Sequence, residues 1–322
     1  MERVLGLDGG GSKTLVAVAT RDGQVLAMRR GPGLDPTAGG DWERDMAAMV
    51  DMGPVVAAVL GLPYFSEVPA ISARQTAVAL AALGPGAEVI NDVAVAFAGA
   101  LGGGEGVLIL AGTGSMGWAR GPAGVVRVGG WGDVFGDEGS AFWIGREALA
   151  LVSRQLDGRV AGEFADALLA EMGVARDELI DWTYSQSAPR AAVAGVARHV
   201  AALAARPEAA AILKRAAAEL ILLAEAAGRT AGLAPGFQWS YAGGVFANGD
   251  VLGHVTAELG PPVAPRLPPV GGAVLAAARK AGWDTGPAFV ATLVTTLQDA
   301  MRLETESNLK AAAVSSLRNW KE

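Results

Sequence analysis

Short apolar runs bounded by glycine, proline and charged residues alternate with longer amphipathic or Ala-rich stretches along this chain. The first third predicts the order β-β-β-α-β-α-β-α, and the pattern after Gly102–Gly104 predicts three strands, a long helical region, one strand and further helices. This order is typical of an α/β fold in which helices flank mixed sheets. The predicted strands are 4–7, 15–19, a third after the turn at 21–23, 55–62, 88–91, 106–111, 116–120, 125–128 and 237–242. The predicted helices are 42–50, 66–83, 92–101, one that ends at about 153, several within 157–232, one that begins at 248, one that ends at about 281, and one or two in the tail 287–322.

The sequence Leu-Asp-Gly-Gly-Gly-Ser at 7–12 is repeated in form by Leu-Ala-Gly-Thr-Gly-Ser at 110–115. Both segments follow an apolar strand and precede another strand, so each predicts a β-hairpin with a glycine-rich turn. A single turn of this kind is structural about as often as it binds phosphate. The repetition favours phosphate binding and predicts two related lobes that serve one nucleotide.

The first hairpin combines a strand-end carboxylate with small and hydroxyl residues. Its three glycines lack Cβ atoms, so the turn can take positive φ angles and bring backbone N–H groups close to an anion. Asp8 can hold a hydrated Mg²⁺ ion. Lys13 is a phosphate ligand in one interpretation and a solvated strand residue in the other. The predicted nucleotide and metal residues here are Asp8, Gly9, Gly10, Gly11, Ser12, Lys13 and Thr14.

Two well-known nucleotide patterns are matched only in part. Residues 112–117 fit G-x-G-x-x-G, but a dinucleotide-binding turn opens a helix, and a strand is predicted to follow here. Residues 9–14 read Gly-Gly-Gly-Ser-Lys-Thr, but a P-loop needs glycine directly before the lysine and a helix afterwards. Neither a nicotinamide site nor a P-loop is therefore expected.

Asp92 lies between the predicted strand 88–91 and the helix that follows. In one interpretation its carboxylate only caps that helix. In the other it stands at the carboxyl end of a strand, where α/β folds bind ligands, and orients a hydroxyl for attack on a phosphate. The two histidines, His199 and His254, lie on predicted helices and do not compete for this role.

Residues 129–144 read Gly-Gly-Trp-Gly-Asp-Val-Phe-Gly-Asp-Glu-Gly-Ser-Ala-Phe-Trp-Ile. The Gly-Gly-Trp-Gly turn presents an aromatic face suited to the apolar side of a sugar ring. Asp137 caps the following helix, accepts a sugar hydroxyl, or does both, and we expect a ligand contact from Asp137 or Glu138. Further along, Gly243 and Gly244 either leave space for a base or ribose or form a plain turn.

Composition narrows the class of protein. The chain has 322 residues, 51% of them hydrophobic, which is enough for two domains with sizeable cores. Its net charge of −7 and its lack of a basic block argue against nucleic acid and membrane as partners. The absence of cysteine excludes disulfides, thiolate metal sites, iron–sulfur clusters and cysteine nucleophiles. No signal-peptide pattern precedes the first strand, so we expect a cytoplasmic protein.

Five segments occur in a defined order, at 8–11, 91–92, 112–115, 129–140 and 242–245. Together they resemble the N-acetylglucosamine kinases and the wider BadF/BadG/BcrA/BcrD-type ATPase family of the sugar kinase/Hsp70/actin superfamily. The resemblance implies two actin-like (ribonuclease H-like) lobes that close over ATP and an amino sugar. It also leaves a homodimer open, because the family often forms dimers. The implied lobes are 1–104, joined by the C-terminal helices 287–322, and 105–286.

The resemblance implies roles for individual residues. It makes Asp92 the catalytic aspartate and places the first phosphate motif on residues 8–12, which begin with Asp8, the residue expected from its position to hold Mg²⁺ through water. The implied nucleotide contacts beyond the first hairpin are Gly112, Thr113, Gly114, Ala194, Gly195, Gly243 and Gly244. The implied sugar contacts are Asp35, Asn91, Ser115, Gly130, Trp131, Gly132 and Asp137.

Two departures from the family pattern bear on specificity. Asp35 stands where the N-acetylglucosamine kinases have an asparagine that contacts sugar, and a carboxylate accepts the same hydroxyls or prefers a free amine. The segment 61–67 reads Gly-Leu-Pro-Tyr-Phe-Ser-Glu where those kinases are rich in serine and glycine. The residues and the resemblance together predict an ATP-dependent kinase that phosphorylates O6 of N-acetylglucosamine. Glucosamine or N-acetylmuramic acid as substrate, and a non-catalytic sensor of ATP and sugar, are the alternatives.

Overall fold

The structure is a computed structural model that describes residues 1–10, 13–37 and 39–319, with side chains up to residue 304. The chain forms two compact units, Met1–Gly103 with Pro265–Glu322, and Gly104–Ala264. Each unit contains one mixed sheet with helices packed against it, as the α/β prediction requires. In the described part of the chain, no helix has both the length and the apolar character needed to cross a bilayer.

The elements follow the predicted order closely. The strands are β1 (Arg3–Gly9), β2 (Lys13–Thr20), β3 (Val25–Pro32), β4 (Ala57–Leu62), β5 (Ala87–Asn91), β6 (Gly106–Ala111), β7 (Ser115–Gly121), β8 (Gly124–Gly129) and β9 (Trp239–Ala242). The helices are α1 (Trp42–Val50), α2 (Pro69–Leu83), α3 (Asp92–Leu101), α4 (Ala141–Leu156), α5 (Phe164–Met172), α6 (Leu179–Tyr184), α7 (Pro189–Ala202), α8 (Pro207–Thr230), α9 (Gly249–Leu259), α10 (Pro269–Lys280) and α11 (Pro287–Asn319). Short 3₁₀ turns occupy Arg176–Glu178 and Gly244–Ala247.

The first unit has the strand order β3-β2-β1-β4-β5, in which β1 pairs antiparallel with β2 and parallel with β4, and β4 pairs parallel with β5. Because β1, β4 and β5 run in the same direction, their carboxyl ends meet at one edge of the sheet. The register aligns Asp8 with Gly61 and Leu62 with Asn91. This edge therefore collects Asp8, the segment after β4 and Asp92.

Helix α10 packs on the first sheet, whereas the lobes implied by the family resemblance place residues 265–286 in the second lobe. A Cβ atom on Gly6 of β1 would lie 2.3 Å from the backbone nitrogen of Val274, and one on Gly272 would lie 2.0 Å from the carbonyl oxygen of Val95. Glycine at both positions lets the backbones of β1, α3 and α10 approach this closely. Apolar spacing marks α10 as a core helix without indicating which sheet it covers.

The tail is one long helix rather than two. Helix α11 packs against β3 and α10 of the first unit, burying Phe289, Leu293 and Leu297. The last three residues, 320–322, lie outside the described part of the chain.

The second unit has the strand order β8-β7-β6-β9, in which β6 pairs antiparallel with β7 and parallel with β9. Both sheets thus contain an antiparallel meander whose first strand pairs on its other side with a parallel strand, in agreement with the repeated hairpin. Helix α8 buries alanines 209, 216, 217, 224 and 227. These small side chains allow close contact between α8 and the strands it covers.

Candidate functional site

Two carboxylates lie near each other at the carboxyl edge of the first sheet. Burial, followed by the charge of Asp92, raises the pKa of Asp8 to about 6, against a lowering effect of Lys13. Burial also raises the pKa of Asp92 to about 6; hydrogen bonding to the Val93 N–H opposes this shift, and the Glu67 carboxylate adds to it. Above about pH 6 both carboxylates are ionised and lie close together, so this edge of the sheet favours the binding of a cation.

The N-cap of α3 is Asn91, and the interpretation of Asp92 as the cap is wrong. The Asn91 Oδ1 atom accepts a hydrogen bond from the Val93 N–H at 2.9 Å. Asp92 is the first helical residue, and its Oδ1 accepts from the same N–H at 2.9 Å. The N–H of Asp92 itself also hydrogen-bonds to this carboxylate. Two carboxylate oxygens have about four lone-pair sites, so these backbone contacts leave Asp92 able to accept a further hydrogen bond from a ligand.

Asn91 also holds the segment that follows β4. Its amide donates to the Phe65 carbonyl at 3.1 Å and to the Glu67 Oε1 atom at 3.2 Å, and its side chain is buried. Tyr64 and Ser66 in this segment adopt positive φ angles of 63° and 66°. Strain of about 1–3 kcal/mol at such a residue persists only where surrounding contacts hold it. The segment brings Glu67 close to Asp92, a role that the sequence pattern did not indicate.

The glycines of the first hairpin provide space rather than positive φ. Gly9 and Gly10 both lie outside the left-handed region, so the turn does not use the positive φ angles that glycine allows at these two positions. A Cβ atom on Gly9 would lie 2.8 Å from a leucine side chain of β4. The Gly10 N–H donates to the Lys13 carbonyl at 2.9 Å within the turn. Gly11 and Ser12 lie outside the described residues, and their phosphate contacts stay predictions.

Thr14 and Asp35 differ in their access to a ligand. The Thr14 hydroxyl donates to a β3 carbonyl at 2.6 Å and the residue is fully buried, so it supports the sheet rather than facing a phosphate. Asp35 lies beside the first hairpin, because the Leu34 N–H donates to the Gly10 carbonyl at 3.0 Å. The Asp35 Oδ1 atom accepts from the N–H and hydroxyl of Thr37, each at 2.7 Å, which closes a local turn.

Asp8 and Asp92 suit a hydrated Mg²⁺ ion. Proteins bind Mg²⁺ through one or two carboxylates and leave the other positions to water and phosphate oxygens. Among the residues described here, no three His, Asp or Glu side chains are arranged to hold a metal ion. Our hypothesis is that Asp8 holds such an ion through water, and the ion would offset the burial and the Asp92 charge that raise the pKa of Asp8.

Mg²⁺ is expected to raise the melting temperature of the wild-type protein, because it neutralises this pair of carboxylates. At tenfold excess over the dissociation constant, stabilisation would be about 1.4 kcal/mol. Asp8→Asn should remove most of the response, whereas Asp35→Asn, whose carboxylate lies outside the pair, should retain it. Thermal unfolding across a Mg²⁺ titration measures both. An unchanged response in Asp8→Asn would contradict the assignment of Asp8.

In the second unit the carboxylate of Asp137 lies against the hairpin between β6 and β7. The Ser115 N–H donates to Asp137 Oδ1 at 3.3 Å, and the Ser115 hydroxyl donates to the Glu138 carbonyl at 2.6 Å. A Cβ atom on Gly114 would lie 2.9 Å from both carboxylate oxygens of Asp137. Ser115, Gly114 and Asp137 are thus brought together, as their predicted roles in one ligand site require.

Asp137 does not cap α4, so that interpretation is wrong. The cap is Ser140, whose hydroxyl oxygen accepts from the Trp143 N–H at 3.1 Å. Asp137 instead has a φ of 56° and is only 3% exposed. Its Oδ2 atom accepts from Arg190 Nη2 at 2.5 Å. Arg190 has no signal in the sequence pattern, since the pair joins residues from different helices and loops.

The Gly-Gly-Trp-Gly turn is fixed at its base and open at its tip. Gly130 and Gly132 have φ angles of 70° and 84°, and the Gly130 N–H donates to the Ser115 carbonyl at 3.0 Å. Trp131 is 69% exposed, with the guanidinium of Arg127 lying 5.8 Å from its ring centre. The indole face therefore remains accessible to a ligand, as the prediction of sugar stacking requires.

A cavity of about 760 Å³ lies beside the second hairpin. It unites most of the predicted nucleotide residues of this unit: Gly112, Thr113, Ala194, Gly195 and Gly244. Alanine and isoleucine side chains form much of the wall, and Arg198 of α7 adds a cation that the sequence pattern did not indicate. The size and the apolar lining suit a nucleotide base and ribose.

Gly243 lies behind this cavity rather than in its wall. Its φ is 102°, and a Cβ atom there would lie 2.3 Å from the Ala111 carbonyl oxygen and 2.8 Å from the Gly112 nitrogen. Gly244 has no neighbour within 4 Å of its Cβ position. The interpretation that these glycines leave room for a ligand therefore applies to Gly244 alone.

The sequence profile of the BadF/BadG/BcrA/BcrD ATPase family matches residues 48–277, which is well over half of the chain. The chain belongs to this family. The matched region contains Asp92, the second hairpin, the loop around Asp137 and the whole cavity wall. Membership of an ATPase family agrees with an ATP site.

The relatives of this family member include sugar kinases. An N-acetylmuramic acid/N-acetylglucosamine kinase of Clostridium acetobutylicum is 28% identical over 270 residues, covering 70% of this chain and 79% of that protein. The structure of a proposed N-acetylglucosamine kinase from Chromobacterium violaceum is similar with a TM-score of 0.69 and 27% identity, over 85% of this chain and 98% of that one. A ROK family glucokinase from Streptomyces griseus, in complex with glucose and AMPPNP, shares the fold with a TM-score of 0.51 and 21% identity. The match covers 85% of this chain and 98% of that one. The predicted actin-like fold is confirmed.

Proposed function

We propose that this protein is an ATP-dependent sugar kinase that transfers the γ-phosphate to the 6-hydroxyl of an amino sugar, with N-acetylglucosamine as the expected substrate. The observation that carries the proposal is Asp92. Its carboxylate is largely buried at the carboxyl end of β5, close to Asp8, and it is not needed as the helix cap. The kinases among the relatives support the class of reaction.

Asp92 would act on the acceptor hydroxyl. Its ionised carboxylate accepts a hydrogen bond from the hydroxyl and orients the oxygen toward phosphorus. It takes the proton as the new O–P bond forms and the bond between the γ-phosphorus and the bridging β-phosphate oxygen breaks, releasing ADP. A pKa of about 6 makes Asp92 a stronger proton acceptor than an ordinary aspartate while it stays mostly ionised above neutral pH. Mg²⁺, when bound, supplies positive charge that offsets the charge on the phosphates. Asp8 is the residue proposed to hold that ion.

The second unit would supply the nucleotide and sugar contacts. The glycines lining the cavity let phosphate oxygens approach the backbone, and the alanine and isoleucine side chains receive the base. Trp131 would stack on the sugar ring, and Asp137 would accept a sugar hydroxyl.

Two further substrates have a specific observation in their favour. N-acetylmuramic acid is named for the Clostridium acetobutylicum relative. Glucosamine is favoured by Asp35, because a carboxylate pairs with a free amine better than with an acetamide. A sensor that binds ATP and sugar without turnover is disfavoured, since Asp92 would then have no chemical task.

A coupled assay of ADP release tests the proposal and ranks the substrates. Glucose, glucosamine, N-acetylglucosamine and N-acetylmuramic acid are compared at equal concentration with ATP and Mg²⁺. N-acetylglucosamine is expected to give the highest kcat/KM, with glucose lower by roughly tenfold or more because it lacks the acetamide contacts. ATP binding without ADP release for every sugar would exclude the kinase and favour the sensor.

A further inference from the structure

Arg190 connects two parts of the second unit that the proposed function uses separately. It is the second residue of α7, and the following turns of α7 line the nucleotide cavity through Ala194 and Gly195. Its side chain extends to the loop that carries the predicted sugar contacts. There the Nη2 atom donates to Asp137 Oδ2 at 2.5 Å, and the Nε atom lies 3.6 Å from Asp133 Oδ1.

This contact compensates the buried carboxylate of Asp137. Its side chain is 3% exposed, and a buried carboxylate that lacks a cation or several donors is strongly disfavoured in its ionised form. The other donor to this carboxylate in the described residues is the Ser115 N–H, at a long 3.3 Å. Arg190 is therefore the principal charged partner of the Asp137 carboxylate.

The orientation of Asp137 depends on Arg190 as well. The backbone of Asp137 is in the left-handed region, with a φ of 56°, which disfavours a side chain unless its contacts hold it. Arg190 pairs with two carboxylates four positions apart in one loop. Within the same loop, the Gly136 N–H donates to the Gly132 carbonyl at 2.9 Å. One guanidinium thus fixes both ends of this turn.

We propose that Arg190 is a positioning residue for the sugar site: it holds the buried Asp137 carboxylate oriented to accept a sugar hydroxyl, and it ties the sugar-binding loop to the helix that lines the nucleotide cavity. This inference rests on the proposed function. Asp137 is the residue proposed to contact the sugar, and Arg190 acts through Asp137. The Asp133 contact is longer and half-exposed, so it serves mainly to hold Arg190.

A double-mutant cycle separates this role from a general contribution to folding. Calorimetry measures the affinities for ADP and for the best sugar of the ADP-release assay in wild type, Arg190→Met, Asp137→Asn and the double variant. Arg190→Met should weaken sugar binding about 10- to 100-fold and ADP binding by less than about threefold, because a hydrogen bond to a charged group is lost only at the sugar site. In the Asp137→Asn background, Arg190→Met should add little, because Arg190 then has no carboxylate to position there.

Two further variants serve as controls. Asp133→Asn removes the outer contact and leaves the inner one, so sugar affinity should stay within about threefold of wild type. Arg190→Lys keeps a cation that reaches one carboxylate but not both, so it should recover part of the lost sugar affinity. Should Arg190→Met fail to fold, Arg190→Lys replaces it in the cycle, with a smaller loss of sugar affinity expected.

The outcomes distinguish the inference from the proposed function. Equal losses of sugar and ADP affinity in Arg190→Met, or full additivity with Asp137→Asn, would overturn the positioning role. Normal sugar affinity in both Arg190 variants would overturn it as well, while the kinase proposal would stand. A wild-type protein that binds ATP but none of the sugars would refute the kinase proposal and this inference together.

Discussion

Asp92→Asn is expected to lower turnover by about 10²- to 10⁴-fold, the range that a positioned general base contributes. Asparagine keeps the size and polarity of the side chain but cannot take the proton of the acceptor hydroxyl. Asn91 remains the cap of α3, so the helix should be preserved. ADP release under saturating ATP and sugar measures the loss, and calorimetry should find both affinities within a few-fold of wild type.

The same substitution is expected to stabilise the fold above neutral pH. The folded-state pKa of Asp92 is about 6, above the ordinary aspartate value, so the folded state binds more protons than the unfolded state between these two values. Stability from this group therefore rises as the pH falls from about 7 toward 4, and it is lowest where Asp92 is ionised. Asparagine removes the cost of the buried charge, on the order of 1–3 kcal/mol.

Thermal unfolding with a chelator present, across a pH series, measures this effect without bound metal. The gain of Asp92→Asn over wild type should be largest near pH 7.5 and should vanish near pH 4. The exposed Asp177 offers a matched control, and Asp177→Asn should leave turnover unchanged. Near-normal turnover of Asp92→Asn would refute the role of Asp92 as general base. An absent gain in stability would refute the argument that its buried charge destabilises the fold.

Local patterns predicted the strands and helices well. They did not predict which of two favourable capping residues occupies the N-cap position of a helix. Asn and Asp are about equally favourable N-caps, so the Asn91–Asp92 pair is ambiguous by residue type. The backbone decides, because Asn91 has the extended φ and ψ of −65° and 143° that a cap requires. The same ambiguity applies to Asp137 and Ser140, where the positive φ of Asp137 leaves the cap to Ser140.

Contacts between distant segments were beyond the reach of the sequence pattern. The Arg190–Asp137 pair spans 53 positions, and the Glu67 contact with Asn91 spans 24. Each depends on how elements pack, which periodicity does not encode. In contrast, the proximity of Asp8 and Asp92 follows from parallel pairing of β1, β4 and β5, and parallel pairing is expected for strands joined by helices. The carboxylate edge was therefore predictable, and the partners of the second unit were not.

Gly243→Ala is expected to destabilise the second unit strongly, by about 3 kcal/mol or more. Alanine at a φ of 102° is strained, and its Cβ atom would lie 2.3 Å from the Ala111 carbonyl oxygen at the end of β6. Relief requires the hairpin backbone to move, and that hairpin carries Gly112 and Thr113 of the cavity wall. Nucleotide affinity should therefore fall together with the melting temperature.

Gly244→Ala is the matched control, because the next residue has open space and an ordinary φ. Its melting temperature should stay close to wild type, while its methyl group narrows the cavity that Gly244 lines and weakens ADP binding. Thermal unfolding and ADP calorimetry on both variants separate backbone strain from ligand contact. If Gly244→Ala binds ADP normally, the cavity is not the nucleotide site. If Gly243→Ala melts like wild type, the close approach of β6 to Gly243 does not constrain the hairpin.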